Sequence, residues 1–202
     1  MNFWASLQKY IQYGYLYLIL LGISKECIYY YFAGINILKF SNLIDIIISP
    51  ISALTSDLSM LLTSLFAIVI MYIVSVYFSK NYHKSWVKGI IKQNIDFDSL
   101  EPKERTVFFE NFFIRSTALC FLGFFIGNGL GDGFDLAEEI RKKEPAYNYV
   151  LTYNSSDKKL IYLIGTNSMN YFFIEKGNPN IIISPIGGVR SLENLGVKKS
   201  KK

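Results

Sequence analysis

The side chains able to do chemistry in this 202-residue chain are few and badly placed to act together. His83 is the single histidine, and the two cysteines, Cys27 and Cys120, both lie inside apolar runs. A Ser-His-Asp or Cys-His arrangement would have to use His83, which neither cysteine reaches from a membrane segment. One histidine and two separated cysteines do not complete a tetrahedral zinc set, and the cysteines read as small buried thiols rather than a disulfide framework. Asp96 and Asp98 hint at a metal pair, but Asp98 and Glu101, three apart before Pro102, read better as a capping box that opens a helix. Glu138 and Glu139 are flanked by Arg141, Lys142 and Lys143, the pattern of a solvated helix face. Gly127–Gly133, GNGLGDG, brings a phosphate loop to mind, yet no strand precedes it, no lysine follows it and its spacing is not GxGxxG. The aromatics belong to the apolar segments rather than to a basic platform, which argues against nucleic acid. The expectation is a protein that is not an enzyme, with no catalytic residue, no metal and no cofactor.

What remains is charge at membrane depth. Leu21–Phe32, LGISKECIYYYF, sets Lys25 and Glu26 between two apolar runs, and with Asp45 they form a candidate intramembrane or interfacial polar site. Ionisable residues held in hydrocarbon are costly and usually functional. If the first helix enters at Tyr10, Lys25 lies about 22 Å along it, inside the bilayer. If it enters at Phe3-Trp4, the stretch Trp4–Gly22 nearly spans by itself, with Gln8, Lys9 and Gln12 at the inner edge. Lys25 and Glu26 then reach the outer interface, and Tyr29–Phe32 makes an aromatic belt. The second placement is the favoured one.

The elements that would position these residues are membrane helices. Hydrophobic residues make up 51% of the chain and charged residues 18%, against roughly 25% charged in soluble domains; the mean hydropathy is +0.25. Ser59–Phe78 carries no charge at all, and its length matches the hydrocarbon core of about 30 Å. The fold class expected is an integral membrane protein, mainly α, with three transmembrane helices, interfacial helices and a small C-terminal β-meander module. Spans are placed at about 4–33, 59–78 and 112–130 within a helical region 1–145, the first run being kept as a signal anchor. The segment 35–54, broken by Lys39, Asp45 and Pro50, is read as an interfacial or re-entrant helix that ends before Pro50. Gly123, Gly127 and Gly131, spaced by four, form a bare stripe on the third span that would admit another helix closely, from this chain or a second copy.

Lys80, Lys84, Lys88 and Lys92 recur every four residues, which predicts one basic amphipathic helix over 80–92. It would lie on an anionic inner leaflet, each lysine contributing about 1 kcal/mol at the headgroups. With Lys103 and Arg105 these lysines make the second loop basic, so the positive-inside rule puts it in the cytoplasm of a bacterial inner or plasma membrane. The N-terminus is then cytoplasmic and everything after Leu130 extracytoplasmic.

From Ala146 the period changes. Tyr147–Tyr153, Leu160–Ile164, Tyr171–Ile174 and Ile181–Ser184, separated by turn-rich NSSDKK, GTNSMN and EKGNPN, predict a four-stranded meander over 146–190, followed by a basic flexible tail 191–202. So small a module is marginal alone and should lean on the third helix, the membrane surface or a neighbour. Two functions follow as expectations. One is an assembly or accessory subunit, in a homo-oligomer or larger membrane complex, that packs through its helices and presents the β module. The other is a homo-oligomeric channel or permeabilising effector lined by Lys25, Glu26, Asp45 and the hydroxyls of the second span.

Overall fold

The computed structural model describes residues 3–56, 58–91, 97, 99–142 and 145–196; for 3–12, 90, 91 and 106 it describes the backbone alone. Lys92, Asp96, Asp98 and the tail 198–202 lie outside the described residues. The chain is mostly helical with a small C-terminal antiparallel sheet. Five helices come first: α1 (Phe3–Phe32), α2 (Leu43–Ser56), α3 (Leu58–Lys80), α4 (Ser85–Ile91) and α5 (Pro102–Lys142). Among the described residues α3 and α5 are long and apolar enough to cross a membrane, and α1 is not one of them. Its four tyrosines between Tyr10 and Tyr17, with Lys9, Lys25 and Glu26, dilute the apolar run. Contacts divide the chain into two units, Met1–Pro50 with Ile126–Lys202, and Ile51–Phe125.

In the first unit the sheet has the order β4-β3-β2-β1-β5, built from β1 (Tyr149–Tyr153), β2 (Lys158–Thr166), β3 (Asn170–Glu175), β4 (Ile181–Pro185) and β5 (Val189–Asn194). All four pairings are antiparallel. The edge strands β4 and β5 are joined by a single 3-10 turn, Ile186–Gly188. Pro185 and Val189 can then be at most about 14 Å apart, whereas flat strands would hold these edges about 19 Å apart. The sheet must therefore curl into a small, partly open barrel. Leu151, Ile161 and Phe173, all fully buried, fill its concave side. Alternation along β3 sends the neighbours Phe172 and Ile174 to the convex side, where they pack with Tyr30, Ile35, Ile37 and Leu136. The module leans on helices, as its size required, and α1 shares that work with α5.

The expected meander lacked the fifth strand: residues 189–194 pair with β1 instead of opening a flexible tail. Val189 and Leu192 supply its only large apolar side chains, too few to show an alternation.

At the end of α1 the Gly34 N–H bonds the Tyr31 carbonyl and the Ile35 N–H reaches back to Tyr30, a Schellman close in which Gly34 takes a positive φ of 72°. Ile35 and Tyr30 then bury together on the convex side of the sheet.

The helix expected to stop before Pro50 continues through it to Ser56. Proline deprives the Ile46 carbonyl of its intrahelical donor. That same oxygen lies against the bare backbone of Gly22, where any Cβ would clash with it. A close Cα–H contact there offsets part of the lost hydrogen bond, and Pro50 itself is fully buried. Reading a stop at Pro50 missed this because the compensating glycine lies on another helix.

In the second unit α3 meets the N-terminal half of α5. The Ser75 hydroxyl donates to the Phe109 carbonyl at 3.0 Å, and the rings of Tyr72 and Phe113 meet edge to face at 5.9 Å. Val87 of α4, Phe97 and Phe109 form a buried cluster beneath them. The Arg105 guanidinium sits 4.0 Å over the Tyr82 ring and donates to the Leu100 carbonyl. Pro102 opens α5, and the Glu101 N–H donates to the Glu104 carboxylate at 3.3 Å. That bond is one half of a capping box, at Glu101 and Glu104.

Candidate functional site

The Lys25–Glu26 pair lies in the last third of α1, where that helix packs on α5. Closeness comes from glycines outside the expected stripe. A Cβ at Gly129 would stand 2.9 Å from the Lys25 carbonyl oxygen, and one at Gly133 would overlap the Phe32 ring. The Phe32 and Phe134 rings then meet at 4.5 Å. Gly123, Gly127 and Gly131 face open space, with nothing inside 4 Å of a Cβ. Glycines at the same four-residue spacing, shifted by two, carry the packing within the chain.

Beyond this contact α5 continues, and β2 lies across both helices. The three elements border an open cavity of about 500 Å³. Its α1 wall is Lys25, Glu26, Tyr29 and Tyr30; its α5 wall is Asp132, Asp135, Leu136 and Glu139. Tyr162, Ile164, Gly165 and Thr166 of β2 close it. Gly165 sits at an irregularity in the β2–β3 register, and its missing Cβ leaves the room that the Tyr30 hydroxyl occupies. The Tyr29 hydroxyl donates to the Ile164 carbonyl at 2.9 Å, tying α1 to the sheet.

Charge in the cavity is unbalanced. Lys25 Nζ is 4.0 Å from Glu26, and Glu26 also accepts from the Ser49 hydroxyl. Glu139 accepts from Tyr162, whose hydroxyl is pushed up by burial first and by that hydrogen bond next. Asp132 and Asp135 make no hydrogen bond or ion pair among the described residues. No group of three metal-ligating side chains converges among the described residues. On α5 the carboxylates Asp132, Asp135 and Glu139 spread along about 10 Å of helix. Such an arrangement suits a hydrated or organic cation better than a coordinated metal.

Asp45, grouped with Lys25 and Glu26 on sequence grounds, is elsewhere. It accepts the Asn42 N–H while its own N–H donates to the Asn42 side chain, a reciprocal cap on α2. Its two oxygens also take the Ser168 N–H and hydroxyl at 3.1 and 2.9 Å, which holds the β2–β3 turn to α2.

The lysine stripe is not one helix. Lys80 ends α3, Lys84 sits in the turn 81–84 and Lys88 lies in α4. Asn81 caps α3 by donating from its side chain to the Tyr77 carbonyl, and a new hydrogen-bonded turn then starts at Lys84. A four-residue period ignores such a break, because Asn is as ready to stop a helix as to sit on its surface. Trp86 of α4 stacks on Tyr77.

His83 has an edge-on ring contact with Tyr82, and both cysteines are free thiols. Glu138 is exposed and paired with Lys142, which holds its carboxyl below the usual range. Glu139, its neighbour, turns to the cavity. Both side chains are exposed, as the reading of Glu138–Glu139 as a solvated helix face expected; the spacing of Asp132, Asp135 and Glu139 at i, i+3 and i+7 sets these three along the cavity rim.

Comparison with protein-family models, curated proteins and solved structures found no match to this chain.

Proposed function

We propose that the chain is a non-enzymatic integral membrane protein, an assembly or accessory subunit whose helices pack in the bilayer while the barrel module is presented outside it. The observation that carries this reading is α3. It is apolar on every side, yet only 11% of its most apolar window is buried within the chain. Leu62, Phe66, Val69 and Ile73 are each more than half exposed. A helix apolar all round needs lipid or a partner to cover it.

In this reading α1, α3 and α5 supply spans at about 4–33, 59–78 and 112–130. The basic segment around Lys80, Lys84, Lys88, Lys103 and Arg105 faces an anionic cytoplasmic leaflet, and the module from residue 146 is extracytoplasmic. The polar lining around Lys25 and Glu26 favours a place at the outer interface, since four carboxylates in hydrocarbon would be prohibitive. The subunit reading is favoured over a conduit because two of the α3 hydroxyls that would line it are spent on backbone: Ser75 bonds Phe109 and Thr63 bonds Ser59.

The test is resistance of the full chain to alkaline carbonate extraction, followed by crosslinking and native mass measurement in mild detergent. Retention in the membrane with a homo-oligomer or a reproducible partner is the expected result. Release by carbonate, or a monodisperse monomer without partners, would sink it.

A further inference from the structure

Helix α2 is apolar but too short to cross a bilayer. Its 14 residues rise about 21 Å, against a hydrocarbon core of about 30 Å. Over its first two turns the side chains sort into three strips. Ile46 and Pro50 are buried, with the Ile46 carbonyl against Gly22 of α1. Asp45 and Ser49 form a polar strip: Asp45 takes the Ser168 N–H and hydroxyl of the barrel, and the Ser49 hydroxyl donates to Glu26. Leu43, Ile44 and Ile48 are each more than half exposed, with half-buried Ile47 between them.

At about 100° per residue the exposed apolar strip is centred about 150° from the polar one. The side of α2 that grips the barrel and the side that presents bare Leu and Ile thus point nearly opposite ways. A short helix with this division lies in the plane of a membrane surface, its apolar side sunk about 5–10 Å into the boundary of headgroups and acyl chains. Two observations choose lipid over a protein as the cover. Helix α3, apolar on every side, begins two residues after α2 ends, so the exposed strip leads in sequence straight into a surface of the same kind. The strip is also purely aliphatic, with none of the Trp, Tyr or Arg anchors that concentrate in protein interfaces.

We propose that α2 is an in-plane anchor in the leaflet on the barrel side, with Leu43, Ile44 and Ile48 among the acyl chains and Asp45 and Ser49 at headgroup level. The barrel then stands on the bilayer surface, held there through the bonds between Asp45 and Ser168. Glu26, bound by Ser49, is fixed at the same level. This anchoring rests on the membrane reading above, and α3 supplies the control that separates the two.

The experiment places single tryptophans in the full chain, in a background of Trp4→Phe and Trp86→Phe. Each variant is reconstituted in bilayers whose phospholipids carry bromines either near the headgroup end or near the methyl end of the acyl chains. Ile44→Trp and Ile48→Trp, both at exposed positions, should keep the circular dichroism of the background and lose more emission to the shallow bromines than to the deep ones. Phe66→Trp, exposed on α3, should lose more to the deep bromines. Lys176→Trp, exposed in the β3–β4 turn, should lose nothing to either. If neither bromine reduces the emission of Ile44→Trp and Ile48→Trp while Phe66→Trp is quenched, the anchor is overturned and the membrane reading stands. Crosslinking between copies through Ile48→Cys, with Cys27→Ser and Cys120→Ser, would then assign the face to a second chain. Deep rather than shallow quenching of Ile48→Trp overturns the in-plane placement in favour of a re-entrant one. Shallow quenching at α2 with none at Phe66→Trp keeps the anchor and removes the span.

Discussion

The hydroxyl of Tyr30 occupies the space that a side chain at Gly165 would fill. One residue belongs to α1 and the other to β2, so the barrel docks on the helix through a missing methyl group. Gly165→Ala should destabilise the chain by about 1–3 kcal/mol, the usual cost of overpacking. With Tyr30→Phe the offending oxygen is gone and the nearest remaining ring atom stands 3.2 Å from the Cβ. The alanine should then cost much less. A double-mutant cycle by thermal unfolding should therefore give a clearly non-additive coupling; additivity would mean that the two residues are not in contact.

Asp45 serves two ends at once, capping α2 and gripping the β2–β3 turn through Ser168. Asp45→Ala removes a cap, worth about 1 kcal/mol, together with charge-assisted bonds worth about 1.5–3 kcal/mol. A loss of about 2–4 kcal/mol is expected. Hydrogen exchange should accelerate first at the Ser168 amide and in the opening turn of α2. Unchanged protection at Ser168 would show that the latch does not form.

Apolar runs made α1, α3 and α5 legible as helices, and turn residues marked out β1 to β4 to within two residues at each end. Much of what failed to show was a partner distant in sequence. Pro50 reads as a stop until Gly22 accepts the carbonyl it frees. Gly129 and Gly133 look no different from Gly127 and Gly131 until α1 lies against one pair and not the other. That Asp132, Asp135 and Glu139 share a cavity rim with Tyr30 and Tyr162 does not show in the sequence, because those walls come from α1 and β2. Local grammar records propensity and period, and neither encodes which surfaces meet.

Tyr153 donates to Glu175 at 3.1 Å, and Lys159 lies 4.0 Å from the same carboxylate. Burial, then the bond to Glu175, pushes the Tyr153 hydroxyl from 10.0 up to about 12. A raised folded value means the neutral phenol is favoured in the folded barrel. Its contribution is therefore complete below pH 10 and falls away as the pH rises towards 12. Unfolding midpoints of wild type and Tyr153→Phe, measured on the full chain, should run parallel up to pH 10. Above it the wild type should fall faster, and equal slopes through the window would remove Tyr153 as the titrating group.

Two glycines two positions apart separate packing within the chain from packing between chains. Gly129 lies against the Lys25 backbone, so Gly129→Ala must move α1 or α5 and should cost about 1–3 kcal/mol. Gly127 has nothing within 4 Å of its Cβ. In a detergent monomer Gly127→Ala should stabilise α5 by about 0.5–1 kcal/mol, the difference in helix propensity. If a second helix occupies the stripe in the membrane, Gly127→Leu will instead weaken assembly, read as lost crosslinks in native bilayers, while unfolding of the dispersed chain stays near wild type. Crosslinking unaffected by Gly127→Leu would exclude this face from the subunit contact and point to α3, whose exposed Leu62, Phe66 and Ile73 are a further uncovered apolar surface.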